Sequence, residues 1–331
     1  MHFWRTEVRL QVVLNYSVVL ILCITEMTIT LINIIEQLAP RLQRFHTQPE
    51  LGCNGHIELC NRSFSNITQI ASHDSVFVGI LPMDNQNLEV THQLDSGVRF
   101  LQAQTHLDRL GQLSLCHTDC GMKDSGTVQD FLVTITDWLE KHPQEVVTLL
   151  LTNGDYANLS HFVEAFTASG ASKHAYIPLP THNASILSSW PTLGQLIASK
   201  KRLVTFLDSG ASPSVPYILN EFDYFWETPF DTTDPTFPQC TISRPGKLHA
   251  YPEIAAERMI IMNHFLDTQV LGMDLPDRRD ARKTNAASGV GSLGAQAKLC
   301  GEVHGRTPVG LLVDYVDQGE GIEAQDRLNG F

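Results

Sequence analysis

The stretch from Thr127 to Asn153, TVQDFLVTITDWLEKHPQEVVTLLLTN, decides the fold class. Its first half sets Val128, Phe131, Leu132, Ile135, Trp138 and Leu139 at spacings of three and four, the apolar stripe of an α-helix. Thr127 and Asp130 resemble a capping box at its start, and Pro143 lies just past its end. The second half, VVTLLLT at 146–152, is a near-continuous apolar run before Asn153, as expected of a strand buried on both faces of a parallel sheet.

Runs of the same kind recur on either side, and most stop at a polar residue. They are 67–72 before His73, 98–104 ending in Gln104, 113–116 before His117, 202–207 before Asp208, 224–226 before Glu227, 259–262 before Asn263 and His264, and 309–313 before Asp314. Strand and helix alternating in this way predict an α/β chain folded as a (βα)8 TIM-like barrel over 51–331, with a doubly wound open sheet as the alternative. One interval departs from the pattern. About eight residues separate Gln104 from Leu113, and a parallel crossover needs a dozen or more, so 113–117 reads as a hairpin extension. One barrel strand is then still to be found, and 268–300 is the expected place. Pro and Ser/Thr mark long loops at 182–191 and 229–245.

With 331 residues, 43% apolar and 18% charged, the chain is too apolar for disorder and too polar for a multi-span transporter. A net charge of -13 repels phosphate backbones, so nucleic acid is not an expected partner. The same charge disfavours electrostatic binding to an anionic membrane, so a lipid substrate has to be captured at a local site.

Residues 1–50 read as a leader: Arg5 and Arg9 precede an apolar run from Leu10 to Ile24. Glu26 and Asn33 interrupt its continuation to Ile35, so signal peptide and uncleaved anchor both stand as readings, the second giving a membrane contact. Either reading puts the barrel in a secreted, extracellular or lumenal setting. Six cysteines follow, Cys53, Cys60, Cys116, Cys120, Cys240 and Cys300, with Cys23 left in the leader. The short spacings suit local disulfides at 53/60 and 116/120, leaving 240/300 as a long-range pair among fifteen formal connectivities. Zinc is the weaker alternative, because neither spacing is Cys-x2-Cys. Asn61, Asn66, Asn158 and Asn183 each satisfy N-x-[ST], consistent with glycosylation in an export pathway.

If the barrel forms, the carboxyl ends of its strands converge on one mouth. His73, Asp74, Gln102, Gln104, His117, Asn153, Asp155, Asp208, Glu227, His264 and Asp314 all end or follow a strand. Two histidines on opposite sides of a phosphodiester serve as base and acid, since imidazole titrates near neutral pH. Asp74 adjoins His73, and Asp314 ends the last strand, which neighbours the first, so both can orient the imidazoles. Gly-x-Ser-x-Gly, His-Glu-x-x-His and P-loop motifs are absent from the sequence, and no Gly-x-Gly-x-x-Gly opens a helix after a strand run. A carboxylate pair drawn from Asp155, Asp208, Glu227 and Asp314 keeps glycoside hydrolysis as a third reading.

The segments Ala71-Ser-His-Asp-Ser75, Gly97-Val-Arg-Phe-Leu-Gln-Ala-Gln104 and Leu115-Cys-His117 resemble the X-domain-like phosphodiesterases related to phosphatidylinositol-specific phospholipase C. Cys53-Asn-Gly-His-Ile-Glu-Leu-Cys60, Trp226-Glu-Thr-Pro-Phe230, Asn263-His-Phe-Leu-Asp267 and Val313-Asp-Tyr-Val-Asp317 narrow the resemblance to a secreted fungal branch. It covers nearly all of 53–331. The resemblance implies a TIM-like barrel and a metal-independent, cofactor-free cleavage in which His73 and His117 act as base and acid, supported by Asp74 and Asp314. Gln104, Asn153, Asp155, Asp208, Glu227 and His264 are the expected substrate-binding groups. The chain departs from bacterial members at an Asp-x-Arg pair, where it carries Gln102 and Gln104. An amide cannot supply a guanidinium's charge to a phosphorane, and Arg99 stands at the wrong register to replace it. A barrel that binds phosphoinositide or glycan without turnover is therefore the second reading. The absence of carboxylates at 102 and 104 speaks against a metal-dependent enzyme.

Overall fold

The computed structural model describes residues 52–178 and 187–331. The leader, with Cys23, and the Asn183 acceptor lie outside the described residues.

Twelve strands are found among the described residues: β1 Gln69–Ser72, β2 Phe100–Leu107, β3 Leu113–Cys116, β4 Asp124–Thr127, β5 Val147–Asn153, β6 Leu203–Leu207, β7 Leu219–Asn220, β8 Phe225–Glu227, β9 Met259–Asn263, β10 Asp267–Val270, β11 Met273–Pro276 and β12 Gly310–Val313. The longer helices are α1 Val90–Asp95, α2 Val128–Lys141, α3 Leu159–Ala168, α4 Leu193–Ala198, α5 Leu293–His304 and α6 Gly321–Asn329. Eight strands run parallel in the order β7-β6-β5-β2-β1-β12-β9-β8, the first strand pairing with the last. The row curls on itself, because Phe225 of β8 meets Phe206 of β6 at 5.0 Å and Phe100 of β2 at 6.3 Å between ring centroids. No ladder joins β7 to β8, so the TIM-like barrel is split at that seam.

The residues explain the layers. All six stripe positions of α2 are buried, and the Thr127 hydroxyl accepts from the Asp130 N–H, capping the helix. Inside the barrel Ala71, Phe100, Leu150, Val204, Phe206, Phe225, Ile261 and Leu312 share one apolar cluster. Gly310 is required there, since a Cβ would stand 2.8 Å from the Phe100 ring. Arg99 turns away to a buried pair with Glu145 and a stack on Trp138, which gives it a packing task.

The predicted hairpin is present: β2 runs past the barrel rim and pairs antiparallel with β3, which pairs with β4. The expectation for the missing strand is corrected. It is β7, two residues long, and 268–300 instead holds the antiparallel β10–β11 ribbon and helical turns. Three disulfides form, Cys53–Cys60, Cys116–Cys120 and Cys240–Cys300. Asn61, Asn66 and Asn158 are exposed. Among the described residues no helix is long and apolar enough to cross a membrane.

The Cys240–Cys300 link closes a sequence separation of 60 and Cys116–Cys120 one of 4. Loop-closure entropy makes the first worth about 4 kcal/mol and the second about 2 kcal/mol. Replacing each pair by serine is expected to lower the urea midpoint more for 240/300, and equal midpoints would contradict this ranking.

Candidate active site

Three strand ends and one ribbon assemble the centre of the mouth. His73 and Asp74 follow β1, Gln102 and Gln104 lie on β2, Asp314 follows β12, and His117 follows β3 on the ribbon that overhangs the rim. The Cys116–Cys120 disulfide brackets His117, whose N–H donates to the Lys123 carbonyl at 3.1 Å.

The His73 ring lies flat on Phe265, with centroids 3.8 Å apart, and its Nδ1 is 2.9 Å from Asp314 Oδ1. Asn85 also donates to that oxygen, at 3.0 Å, and fixes it. With the Nδ1 proton given to Asp314, Nε2 is the free nitrogen; it lies 3.6 Å from Asp74 Oδ2. His117 packs on Phe77, and its Nε2 lies 3.8 Å from the same oxygen. The two nitrogens are therefore no further apart than the sum of those distances.

Asp74 is fully buried, in the left-handed region at φ 44°. Gln102 accepts from its N–H at 2.7 Å, and Gln104 donates to Oδ2 at 2.7 Å while accepting from the Thr118 N–H at 3.2 Å. Burial lifts the Asp74 carboxyl above its usual range, against the pull of His73 and His117. Burial alone would lower His73, but the charges of Asp74 and Asp314 and the hydrogen bond to Asp314 outweigh it and raise the imidazole to about 9. Burial and then the charge of Asp314 raise Asp267 to about 7.

His73, Asp74, Asn85, Gln102, Gln104, His117, Phe265 and Asp267 line one open cavity of about 480 Å3, a size suited to a small ligand, and Asp314 is buried behind His73 and does not line it. Asp208 and Glu227 line it too, together with Asn263 and Arg244. Arg244 Nη2 is 3.6 Å from Asp208 and Nη1 3.4 Å from Glu227. Asn85, Arg244, Phe265 and Asp267 were missed as site residues by the strand-end reading, because loops and the β10–β11 ribbon deliver them. The signal available was the loop composition at 229–245 and the Asn263-x-x-x-Asp267 spacing.

Three expected binding residues do not reach the cavity. His264 is fully buried, its Nδ1 2.6 Å from Gln296 Oε1 and its Nε2 2.9 Å from the Thr284 carbonyl, so both ring nitrogens are occupied. Burial lowers it to about 4, against the hydrogen bonds to Gln296 and the Thr284 carbonyl, which raise it. Asn153 spends its side chain on the Ala157 N–H and carbonyl, closing the turn after β5. Asp155 pairs with His106 at 2.9 Å and accepts from the Leu107 N–H, which ties that turn to the ribbon.

A family model described as PI-PLC X 1 matches residues 59–329. A PI-PLC X domain-containing protein 1 of Arthroderma benhamiae is 44% identical over 288 residues, covering 86% of this chain and 91% of that protein. An uncharacterized secreted protein of the same organism is 42% identical over 284 residues, covering 84% and 62%. Among solved structures, the phosphatidylinositol-specific phospholipase C of Listeria monocytogenes superposes with a TM-score of 0.54 at 14% identity, covering 82% of this chain and 96% of that one. The fold is shared with that structure, and by sequence the chain belongs to the PI-PLC X domain family.

Proposed function

We propose that this chain is a secreted phosphoric diester hydrolase of phospholipase C type, acting by paired imidazoles. The observation that carries the reading is that the Nε2 atoms of His73 and His117 both lie within 4 Å of one buried carboxylate oxygen in an open polar cavity. On this reading His73 Nε2 takes the proton of a hydroxyl beside the phosphate, which attacks phosphorus. His117 Nε2 gives a proton to the oxygen that leaves. For an inositol head group the product is a cyclic phosphodiester, and reversed roles let water open it. Asp314 holds the His73 tautomer, and Asp74 supports the positive charge that passes between the rings. No step uses a metal. The three disulfides and the secreted relative favour an extracellular setting.

A lipid substrate is favoured over a soluble one by the apolar rim. Leu271 at the turn of the β10–β11 ribbon is 96% exposed and Ile80 in the loop after β1 is 92% exposed. Ile80 and Val270 border one hollow that shares Pro276 with the main cavity, and exposed Phe230 lines that cavity directly. Apolar tips beside a mouth can enter a lipid surface despite the chain's negative charge.

His73→Ala and His117→Ala are each expected to lower phosphatidylinositol turnover by on the order of 10² to 10⁴ fold, with the melting temperature little changed and EDTA without effect. Unchanged turnover in either variant would refute the assignment. In nuclear magnetic resonance titrations the His73 imidazole is expected to titrate near 9 and, once Asp314→Asn removes a negative charge that stabilises imidazolium, at lower pH. The base form grows as pH rises, so kcat/KM is expected to climb on the acid side; a midpoint unmoved by Asp314→Asn would contradict the pairing. Leu271→Asp is expected to slow cleavage of vesicle-borne lipid several-fold while sparing a water-soluble phosphodiester.

A further inference from the structure

Arg244 is the one Arg or Lys among the described residues that line the cavity, which also holds Asp74, Asp208, Glu227, Asp231, Asp267 and Asp274. It comes from the loop after β8, far in sequence from β2, where Gln102 and Gln104 are neutral and already engaged with Asp74. Its backbone is clamped to the barrel: the Glu227 N–H donates to the Arg244 carbonyl at 2.9 Å and the Ser243 N–H to the Glu227 carbonyl at 2.8 Å. Four residues earlier, the Cys240–Cys300 disulfide fastens the loop to α5. Gln296 of α5 donates to the Gln239 carbonyl at 2.9 Å, and His304 to the Cys240 carbonyl at 2.7 Å. Buried His264 fixes Gln296, so the histidine expected in the cavity supports this loop instead.

The guanidinium lies over the rings of Phe222 and Phe230, at 5.2 and 5.5 Å. Asp208 and Glu227 are 3.6 and 3.4 Å away, longer than the roughly 2.7–2.9 Å of a closed charge-assisted hydrogen bond. Among the described residues no hydrogen bond uses its five donors, and 32% of the side chain is open. A cation serving only to neutralise Asp208 and Glu227 would be expected to close the bidentate contact that its planar fork allows. This one is aimed and leashed with its donors unspent.

We propose that Arg244 binds the non-bridging oxygens of the substrate phosphate and carries the negative charge that grows on them as phosphorus becomes five-coordinate. The inference rests on the phosphodiesterase reading above and deepens it. The hydroxyl oxygen bonds to phosphorus as its proton goes to His73. The bond to the leaving oxygen breaks with its electron pair, and that oxygen takes a proton from His117. Arg244 neither gains nor loses a proton. The guanidinium absent from β2 is thus supplied from the opposite side of the sheet order, near β8. The flanking carboxylates weaken its hold on a ground-state anion, so its contribution falls more on kcat than on KM.

The test compares wild type with Arg244→Ala and Arg244→Lys. Arg244→Ala is expected to lose on the order of 10² to 10³ fold in kcat with a smaller change in KM. Arg244→Lys keeps the charge without the fork and is expected to fall between. Millimolar guanidinium chloride, far below denaturing concentration, is expected to restore part of the Arg244→Ala rate. Calorimetry with inorganic phosphate is the second arm, in which wild type binds and Arg244→Ala does not. Normal kcat in Arg244→Ala, with His73→Ala and His117→Ala inactive, would overturn the inference and leave the phosphodiesterase reading standing. If wild type cleaves no phosphodiester, that reading fails, and the phosphate titration decides Arg244: equal binding by wild type and Arg244→Ala, or none by wild type, overturns its anion role.

Discussion

A carboxylate buried without compensation costs several kcal/mol, and Asp74 is fully buried at the centre of the barrel mouth. One of its oxygens meets one amide and two imidazoles, and the other has no hydrogen-bond partner among the described residues. Gln102 holds its backbone and Gln104 one oxygen, and the same oxygen faces both ring nitrogens. The left-handed backbone at Asp74 is one that aspartate tolerates better than most residues, and it turns the carboxyl inward directly after His73. Glutamines at 102 and 104 bring no charge to a crowded acidic site, and so leave the imidazoles as the counter-charges nearest Asp74.

Charge at the mouth is divided into two halves. Around β1, β2 and β12, His73 and His117 answer Asp74 and Asp314. Around β6 and β8, Arg244 answers Asp208 and Glu227, and the carboxyl of the fully buried Glu221 is pushed up by burial and then by Glu227. A phosphodiester bound between the halves would meet proton-transfer groups on one side and a fixed cation on the other.

The barrel strands were legible because buried parallel strands are apolar on both faces, and 146–152 or 202–207 can be little else. β7 was not, because Leu219 and Asn220 make too short a run to carry a period and are held by pairing with β6. The exposed β10–β11 ribbon, DTQVLGMDLP, has a mixed pattern that pairs only through its turn. In the site, strand ends brought His73, Asp74, Gln102, Gln104, His117, Asp208 and Glu227 to the cavity lining, because the carboxyl ends of parallel strands converge. Position at a strand end does not fix which way a side chain turns, and His264 and Asn153 turn into neighbouring structure. Arg244, Asn85 and Asp267 enter through long-range contacts, to which the sequence points only through the loop composition at 229–245 and the Asn263-x-x-x-Asp267 spacing.

A crystal structure with a non-hydrolysable phosphonate analogue of phosphatidylinositol would test the paired imidazoles most directly. The phosphorus group is expected between His73 and His117, with each Nε2 at hydrogen-bond distance, about 2.7–3.0 Å, from a different bridging position. A phosphonate seated elsewhere in the barrel, or touching one ring while the other stays packed on its aromatic neighbour, would contradict a shared role in cleavage.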